Sequence, residues 1–277
     1  MSTQDSLVGQ VVGTYKIVEV LGRGGMGAVY KADDMSLLRP VALKTLPSQV
    51  AQDRKALERF KEGARSAARL NHPNIVTVYG VGVHETVFFM AMEYVDGESL
   101  ASFIKERGKL PLQRSLTIAC QIADALAEAH GKGVIHRDVN PHNVMIDKQG
   151  NAKLGDFGLA RVLHAASNLT AANTTVGTPL YMAPEQWETS KVDARADIYS
   201  LGATLFEMVA GQPPFKGASQ IDLIRKVSAE PAPPLSSIDP SVPQTLTDAV
   251  ARMLEKNPMA RFRTAAEART ELEKSRD

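Results

Sequence analysis

The chain has 277 residues, of which 44% are hydrophobic and 23% are charged, and its formal net charge is +1. This length allows one large or two small domains, and the composition is ordinary for a soluble globular protein. The near-zero charge gives no electrostatic basis for binding nucleic acid or an anionic membrane. The single cysteine, Cys120, excludes an internal disulfide, and its place in an apolar helical pattern predicts a buried structural thiol.

No apolar run reaches the roughly 18 residues that a membrane span requires. The first ten residues, MSTQDSLVGQ, have neither the basic start nor the apolar stretch of a secretory signal. We therefore expect a cytoplasmic location and no membrane contact by this chain itself. The same pattern also fits the cytosolic domain of a longer, membrane-anchored protein.

Residues that favour β-strands dominate the first third of the chain. The runs YKIVEVL and AVYKA, separated by the glycine-rich turn GRGGMG, predict a hairpin, and VALKTL predicts a third strand. The runs IVTVYGVGV and TVFFMAMEYV predict two further strands. Between the two groups, residues 52–70 predict a helix with Leu57, Phe60, Ala64, Ala67 and Ala68 near one face.

Long helices dominate the remainder. The stretch Asp96-Gly97-Glu98-Ser99 predicts a linker that ends in a helix cap. Residues 112–130 and 196–210 predict apolar helices, and residues 244–256 and 264–275 predict amphipathic ones. A proline-rich surface loop is expected over residues 231–243. The helix over 112–130 has five apolar residues at helical spacing: Leu116, Ala119, Ile122, Leu126 and Ala129.

A glycine-rich motif, G-x-G-x-x-G-x-V, extends from Gly22 to Val29. Such a motif can be merely a flexible hairpin turn. A dinucleotide-binding fingerprint is disfavoured because the motif leads into a strand pattern rather than a helix. Between two antiparallel strands, backbone N–H groups without intervening side chains can close over phosphates.

Lys44 lies within the apolar run VALK, on the strand that follows the glycine-rich hairpin. A lysine in such a run can be an edge residue whose ammonium reaches water. Its position, 17 residues after Gly27, instead favours an ammonium directed at the α- and β-phosphates of a nucleotide.

Two polar segments in the second half supply oxygen ligands. The segment HRDVNPHN contains Asp138 and Asn143, and the later segment GDFG contains Asp156. Asp138 alone could be a turn residue. Two carboxylates and a carboxamide together fit Mg²⁺, which prefers oxygen ligands.

Because these four motifs occur in a characteristic order and spacing, the chain resembles the eukaryotic-like (Hanks-type) protein kinase domain over about residues 15–275. The runs GRGGMGAVYKA, HPNIVTVYG, MEYVDGESL, GTPLYMAPEQ and DARADIYSLGATLFEM are most similar to the bacterial serine/threonine branch. The resemblance implies a two-lobed α+β fold. A small antiparallel-sheet N-lobe with one main helix (about 15–93) would precede a hinge (about 93–98) and a mostly helical C-lobe (about 98–275). Residues 1–14 would form an N-terminal extension.

The resemblance also implies a nucleotide site in the cleft between the lobes. Leu21, Val29, Ala42 and Met145 would sandwich the adenine, Glu93 and Val95 would offer hinge backbone groups, and Met92 would be the gatekeeper. The ATP-binding set implied in this way is Leu21, Gly22, Arg23, Gly24, Gly25, Met26, Gly27, Val29, Ala42, Lys44, Met92, Glu93, Val95 and Met145.

Catalytic roles follow from the same resemblance. Asp138 would accept or orient the proton of the substrate hydroxyl, Lys44 would hold the phosphates, and Asn143 and Asp156 would hold Mg²⁺ or Mn²⁺. On the activation loop, from Asp156 to Glu185, a phosphate could order the chain against Arg137. The phosphosite candidates are Thr170, Thr174 and Thr175, and Thr178 would contact the substrate. Glu185 with Arg261, and Asp197 with the catalytic-loop backbone, would be internal braces.

Two positions depart from the family pattern. Gly63 stands where the family carries a helix glutamate that pairs with the lysine, and Asn140 stands where serine/threonine kinases carry a lysine. Either Glu62 rotates inward through a local distortion, or Lys44 lacks that partner. Asn140 removes a cation from a site of developing negative charge, which predicts weaker transition-state stabilisation.

The resemblance implies a serine/threonine protein kinase that transfers the γ-phosphoryl group of Mg-ATP to a protein hydroxyl. Its partners would be a protein substrate and, for self-phosphorylation in trans, a second copy of the chain. Because of Gly63 and Asn140, the activity is expected to be weak or to depend on activation. The alternative is an ATP-binding pseudokinase that acts as a signalling scaffold. Small-molecule kinases are disfavoured because GTPLYMAPEQ belongs to a segment that docks a polypeptide.

Overall fold

The computed structural model describes residues 7–24, 27–46, 53–157, 179–189 and 191–276. Its first half contains a six-stranded antiparallel sheet with strand order β1-β2-β3-β4-β6-β5. The strands are β1 (Val11–Val12), β2 (Tyr15–Gly24), β3 (Gly27–Asp34), β4 (Arg39–Thr45), β5 (Val78–His84) and β6 (Val87–Glu93). The predicted hairpin is β2–β3, and the sheet begins four residues before the predicted N-lobe, at Val11.

Strand β4 is buried on both faces, which explains its continuous apolar run. Val41 and Leu43 point into one hydrophobic cluster with Ile17 and Phe89. Ala42 and Lys44 alternate with them and face the other side of the sheet. Lys44 is therefore held inside the sheet rather than at an exposed edge.

Helix α1 (Arg54–Ala67) packs against that other side. Asp53 caps its first turn by accepting hydrogen bonds from the backbone N–H groups of Lys55 (2.8 Å) and Ala56 (3.3 Å). The predicted buried face was partly wrong, because Leu57 is only half-buried and Ala68 is exposed. One residue is about 100° of helix rotation, and the buried stripe is Ala56, Phe60, Gly63, Ala64 and Ala67.

A second, three-stranded sheet connects the two lobes. It consists of β7 (Gly97–Ser99), β8 (Val144–Asp147) and β9 (Ala152–Leu154). The backbone N–H of Val76 donates to the Leu154 carbonyl at 3.0 Å, which ties the segment after α1 to β9. Ser99 caps the next helix as predicted, whereas the strand β7 was not predicted.

The second half is helical. Its helices are α2 (Leu100–Arg107), α3 (Leu112–Gly131), α4 (Glu185–Glu188), α5 (Arg195–Ala210), α6 (Gln220–Ala229), α7 (Leu235–Ile238), α8 (Gln244–Met253) and α9 (Ala265–Glu273). Helix α7 is one turn inside the predicted proline-rich loop. The α3 prediction is confirmed, because its five apolar positions are all fully buried in the main core.

Cys120 on α3 is buried, which confirms the predicted structural thiol, and burial raises the pKa of that thiol. Across the ranges that the structure describes, every helix is too short or too polar to cross a lipid bilayer.

Candidate active site

The loop from His136 to Asn143 joins α3 to β8 and is anchored by a buried aspartate on α5. Asp197 accepts hydrogen bonds from the backbone N–H groups of His136 (2.8 Å) and Arg137 (2.6 Å). His130 contributes Nε2 to the same carboxylate at 2.8 Å. The predicted brace between Asp197 and the loop backbone is therefore confirmed. Arg137 has φ +70°, a left-handed conformation that a non-glycine residue keeps only when its surroundings hold it.

His136 connects this loop to the segment that contains Asp156. Its Nε2 lies 2.7 Å from the Gly155 carbonyl oxygen, and its ring packs edge-on against Phe157 with centroids 4.6 Å apart. His136 is fully buried, so the contact is shielded from water. The two polar segments identified in the sequence are thus fixed against each other.

Asp138 is held between two carboxamides. Asn140 Nδ2 donates to Asp138 Oδ1 at 2.8 Å, and Asn143 Nδ2 donates to Asp138 Oδ2 at 3.0 Å. The same two nitrogens also donate to the Asp138 main-chain oxygen, at 3.0 and 2.8 Å. Burial raises the pKa of Asp138, although the two carboxamides oppose that rise. The result is an oriented carboxylate with a stronger tendency to take up a proton.

Lys44 and Asp156 form an ion pair although they are 112 positions apart in the sequence. Lys44 Nζ lies 2.7 Å from Asp156 Oδ2, and the side chains are 6% and 24% exposed respectively. Asp156 has φ +60°, so this residue too is in a left-handed conformation. The pKa of Asp138 is raised chiefly by burial, and the negative charge of Asp156 adds to that rise.

The oxygen donors around this cluster fit a divalent metal. Asn143 uses its carboxamide nitrogen on Asp138, which directs the nitrogen away from any metal and leaves the oxygen as the donor atom. Within the described ranges no cluster of three or more His, Cys, Asp or Glu side chains could hold a metal. Mg²⁺ commonly takes one or two protein ligands and completes its octahedron with water and phosphate oxygens. Asp156 and Asn143 match that pattern.

The structure decides the question about Glu62. Helix α1 continues without interruption through Glu62 and Gly63, and Gly63 lies on its buried face. Glu62 is exposed, and it forms no ion pair with any residue in the described ranges. The inward rotation of Glu62 is therefore wrong. Lys44 pairs with Asp156 instead of with a carboxylate from the helix.

The predicted adenine pocket is only partly assembled. Ala42, Met92 and Val95 belong to one buried cluster, against which Val29 and Met145 pack. Ala42 lies directly opposite Met92 across β4 and β6. Leu21 lies outside this cluster and is 45% exposed. Their binding roles stay predictions.

The glycine-rich turn and the predicted hinge are the two remaining parts of the expected nucleotide site. Gly22, Arg23 and Gly24 pair in register with Val29, Ala28 and Gly27, while Gly25 and Met26 lie outside the described residues. The Glu93 carboxylate binds Lys153 Nζ at 2.8 Å and accepts the Thr77 backbone N–H at 3.2 Å. The Glu93–Lys153 pair was not predicted, since nothing in the spacing of the two residues signals it.

The phosphosite candidates Thr170, Thr174 and Thr175, together with Thr178, lie outside the described residues. The predicted brace at the end of their segment is confirmed. Arg261 donates to both carboxylate oxygens of Glu185, at 2.7 and 2.8 Å.

Two further contacts near this brace escaped the sequence reasoning. Gln186 donates to the Arg137 carbonyl at 2.9 Å and so supports the loop from His136 to Asn143. Tyr181 donates a hydrogen bond to Glu207, and burial raises the pKa of both side chains. Gln186 follows the APE run directly, which is the one sequence signal that could have indicated it.

Comparisons with known proteins agree with this geometry. The family model described as "Protein kinase domain" matches residues 15–271. Serine/threonine-protein kinase PrkC of Bacillus subtilis is 37% identical over 98% of this chain and 42% of its own length. Serine/threonine-protein kinase PknB of Mycobacterium leprae is 40% identical over 93% of this chain and 42% of its own length.

Among solved structures, the Mycobacterium tuberculosis PknI kinase domain superimposes with a TM-score of 0.79 at 31% identity, covering 98% of this chain and all of that one. The chain spans about two fifths of the length of the curated relatives, 42% in the case of PrkC.

Proposed function

The chain belongs to the protein kinase domain family, and from that premise we propose that it is a serine/threonine protein kinase. Members of this family use ATP and a divalent metal, generally Mg²⁺. The reaction would be transfer of the γ-phosphoryl group of Mg-ATP to a serine or threonine hydroxyl of a protein. The observation that carries this proposal is the meeting of Lys44 with Asp156 at 2.7 Å, beside an Asp138 carboxylate fixed by Asn140 and Asn143.

Each charged group in this cluster suits one part of phosphoryl transfer. The Lys44 ammonium would bind phosphate oxygens, because it already occupies a buried position beside an acidic partner. Asp138 would accept the hydroxyl proton, and a raised pKa favours such an acceptor near neutral pH. Asp156 and Asn143 would hold Mg²⁺, which neutralises charge on the phosphates. Since the transition state is loose, catalysis is mostly positioning and charge neutralisation.

The pseudokinase alternative finds no support in the comparisons, since PrkC and PknB are both named serine/threonine-protein kinases. The residues proposed as the phosphate-binding lysine, the proton acceptor and the metal ligands are all present, and they form two bonded pairs, Lys44 with Asp156 and Asn143 with Asp138. Relative to a kinase with the helix glutamate, however, Lys44 has one fewer carboxylate to hold it. We expect slow transfer until another interaction positions that lysine.

The substrate class is a protein with a serine or threonine acceptor, and a second copy of this chain is one such substrate. Self-phosphorylation in trans would modify Thr170, Thr174 or Thr175, and a phosphate there could pair with Arg137. A cytoplasmic location fits the need for ATP and a reduced thiol at Cys120.

The test uses γ-labelled ATP with Mg²⁺ and compares wild type, Asp138→Asn and the control Asp248→Asn. Asp248 is an exposed residue of α8, and its carboxylate accepts a hydrogen bond from Gln244. It makes no hydrogen bond to Lys44, Asp138, Asn143 or Asp156 within the described residues. We expect Asp138→Asn to reduce transfer by at least about a thousandfold while Mg-ATP still raises the melting temperature. Asp248→Asn should match wild type.

Mass spectrometry of the wild-type product then locates the phosphate. Binding of Mg-ATP without transfer by the wild type, under conditions that include an acceptor protein, would favour the scaffold instead. Full transfer by Asp138→Asn would remove Asp138 from the mechanism.

A further inference from the structure

Asn140 is almost completely buried, with 1% of its surface exposed, and both ends of its carboxamide are bonded. Its nitrogen donates to Asp138 Oδ1 at 2.8 Å, and its oxygen accepts the His142 backbone N–H at 2.9 Å. The second bond caps the 3-10 turn Pro141–Asn143. One side chain therefore contacts both the proton acceptor and the turn that contains Asn143.

We propose that Asn140 is a positioning residue, which fixes the Asp138 carboxylate and the Asn143 turn relative to each other. This inference rests on the proposed function and identifies what Asn140 contributes to it. Asn143 completes the arrangement by donating to the other Asp138 oxygen at 3.0 Å. Each oxygen of the carboxylate is thus held by one carboxamide, and rotation of Asp138 about its side-chain bonds is blocked from both directions.

The burial of Asn140 argues for this role over that of a weak substitute for a cation. A carboxamide satisfies one donor and one acceptor within a dry space without introducing charge. The ammonium of a lysine has three donors and no acceptor, so it cannot accept the His142 N–H that closes the turn. Asparagine is therefore suited to this position by its two-ended hydrogen bonding.

Three variants of Asn140 separate positioning from charge. Asn140→Asp preserves the shape and the acceptor for His142 but replaces the donor that faces Asp138 with a negatively charged oxygen. Asn140→Ser retains a capping oxygen, adds no charge and is too short to reach Asp138, so it serves if the aspartate variant fails to fold. Asn140→Lys introduces the cation found in other serine/threonine kinases.

The matched control is Asn151→Asp. Asn151 is an exposed asparagine whose Nδ2 donates to Asp147 Oδ2 at 3.1 Å, so this variant removes the same kind of bond outside the cluster. Steady-state kinetics with Mg-ATP and a protein acceptor give kcat and the KM for ATP. Crystal structures of the nucleotide-free wild type and variants report the side-chain rotamer of Asp138 independently of activity.

For Asn140→Asp we expect kcat to fall about a hundredfold, while the KM for ATP changes by less than about threefold. Asn140→Ser should lower kcat about tenfold, and Asn140→Lys should not exceed wild type. Asn151→Asp should leave both constants unchanged. In the crystal structures, Asp138 should leave its wild-type rotamer in Asn140→Ser and in Asn140→Asp, because both variants lose the bond to Asp138 Oδ1, and should keep it in Asn151→Asp.

The inference is overturned if Asn140→Asp retains kcat within about threefold of wild type, or if Asn140→Lys turns over faster than wild type. If the wild type transfers no phosphate, the proposed kinase activity is refuted, but the positioning role of Asn140 remains testable. The crystal structures still decide the present point in that case: an unchanged Asp138 rotamer in the uncharged Asn140→Ser variant refutes the positioning role, and a turned one supports it.

Discussion

The ion pair between Lys44 and Asp156 makes a prediction about stability that needs no nucleotide. Asp156→Asn has nearly the same shape as the wild type but leaves the ammonium of Lys44, 6% exposed, without its carboxylate. Removing one partner of a buried pair costs about 3–5 kcal/mol. Asp156 is itself 24% exposed, so water can compensate in part, and we expect a loss of about 2–3 kcal/mol.

Removing the lysine instead should cost less. Lys44→Met leaves a carboxylate that water can reach, so we expect a loss of about 1 kcal/mol. The double variant should lose only about 1.5 kcal/mol, less than Asp156→Asn alone, because neither charge remains without its partner. The coupling free energy from this double-mutant cycle should therefore be about 2 kcal/mol.

Lys109 and Asp239 offer a matched control. Their charged atoms also lie 2.7 Å apart and Asp239 is also 24% exposed, but Lys109 is 62% exposed. The corresponding cycle, with Lys109→Met and Asp239→Asn, should give a coupling below about 1 kcal/mol. Both cycles are measured by urea unfolding of the nucleotide-free protein. Equal coupling energies at the two sites would refute the argument that burial makes the Lys44 pair strong.

Three further predictions concern Arg261, Gly63 and Lys256. Arg261→Lys should lower the free energy of unfolding by about 2–4 kcal/mol in urea titration, because lysine cannot reproduce the two-pronged contact with Glu185. Gly63→Glu should raise the transfer rate about tenfold over Gly63→Gln, because only the glutamate adds a carboxylate on the helix face packed against the Lys44 side of the sheet. Burial lowers the pKa of Lys256 to about 8 from 10.5, so the native state loses this proton first and stability rises with pH between those values. Lys256→Met should therefore be more stable than wild type by about 1 kcal/mol at pH 7, allowing for partial exposure, with the gain shrinking as pH rises from about 8 to about 10.5.

Each of these has a distinct outcome that would contradict it. If Arg261→Lys is as stable as the wild type, the bidentate contact between Arg261 and Glu185 does not contribute to stability. A Gly63→Glu variant no faster than its glutamine counterpart would show that the missing helix carboxylate does not limit transfer. A stability gain for Lys256→Met that stays constant with pH would exclude the titration of Lys256 as its cause.

The sequence predicted those helices and strands that are signalled by a regular spacing of apolar residues or by local turn residues. The helix over 112–130 is confirmed because its apolar spacing is long and regular. The face of α1 was misplaced by one residue at Leu57 and Ala68, because a short pattern of small alanines does not define the rotation of a helix. The strand β7 was missed because three polar or small residues form it only through pairing with β8.

The sequence predicted which residues form the candidate site better than it predicted the hydrogen bonds among them. Motif order and spacing indicated that Lys44, Asp138, Asn143 and Asp156 meet, and the structure pairs Lys44 with Asp156 and Asn143 with Asp138. The bonds of Asn140 could not be predicted, because the sequence shows a missing lysine but not what the replacing side chain touches. Exposure of Glu62 likewise depends on how α1 packs, which only the folded chain determines.

One measurement tests the central claim most directly: a crystal structure with a non-hydrolysable ATP analogue and Mg²⁺. We expect oxygens of Asp156 and Asn143 about 2.0–2.1 Å from the metal, and the Lys44 ammonium on a phosphate oxygen. Asp138 should face the terminal phosphate while still bonded to Asn140. A bound analogue whose metal contacts neither Asp156 nor Asn143, or whose phosphates lie away from Lys44, would contradict the account.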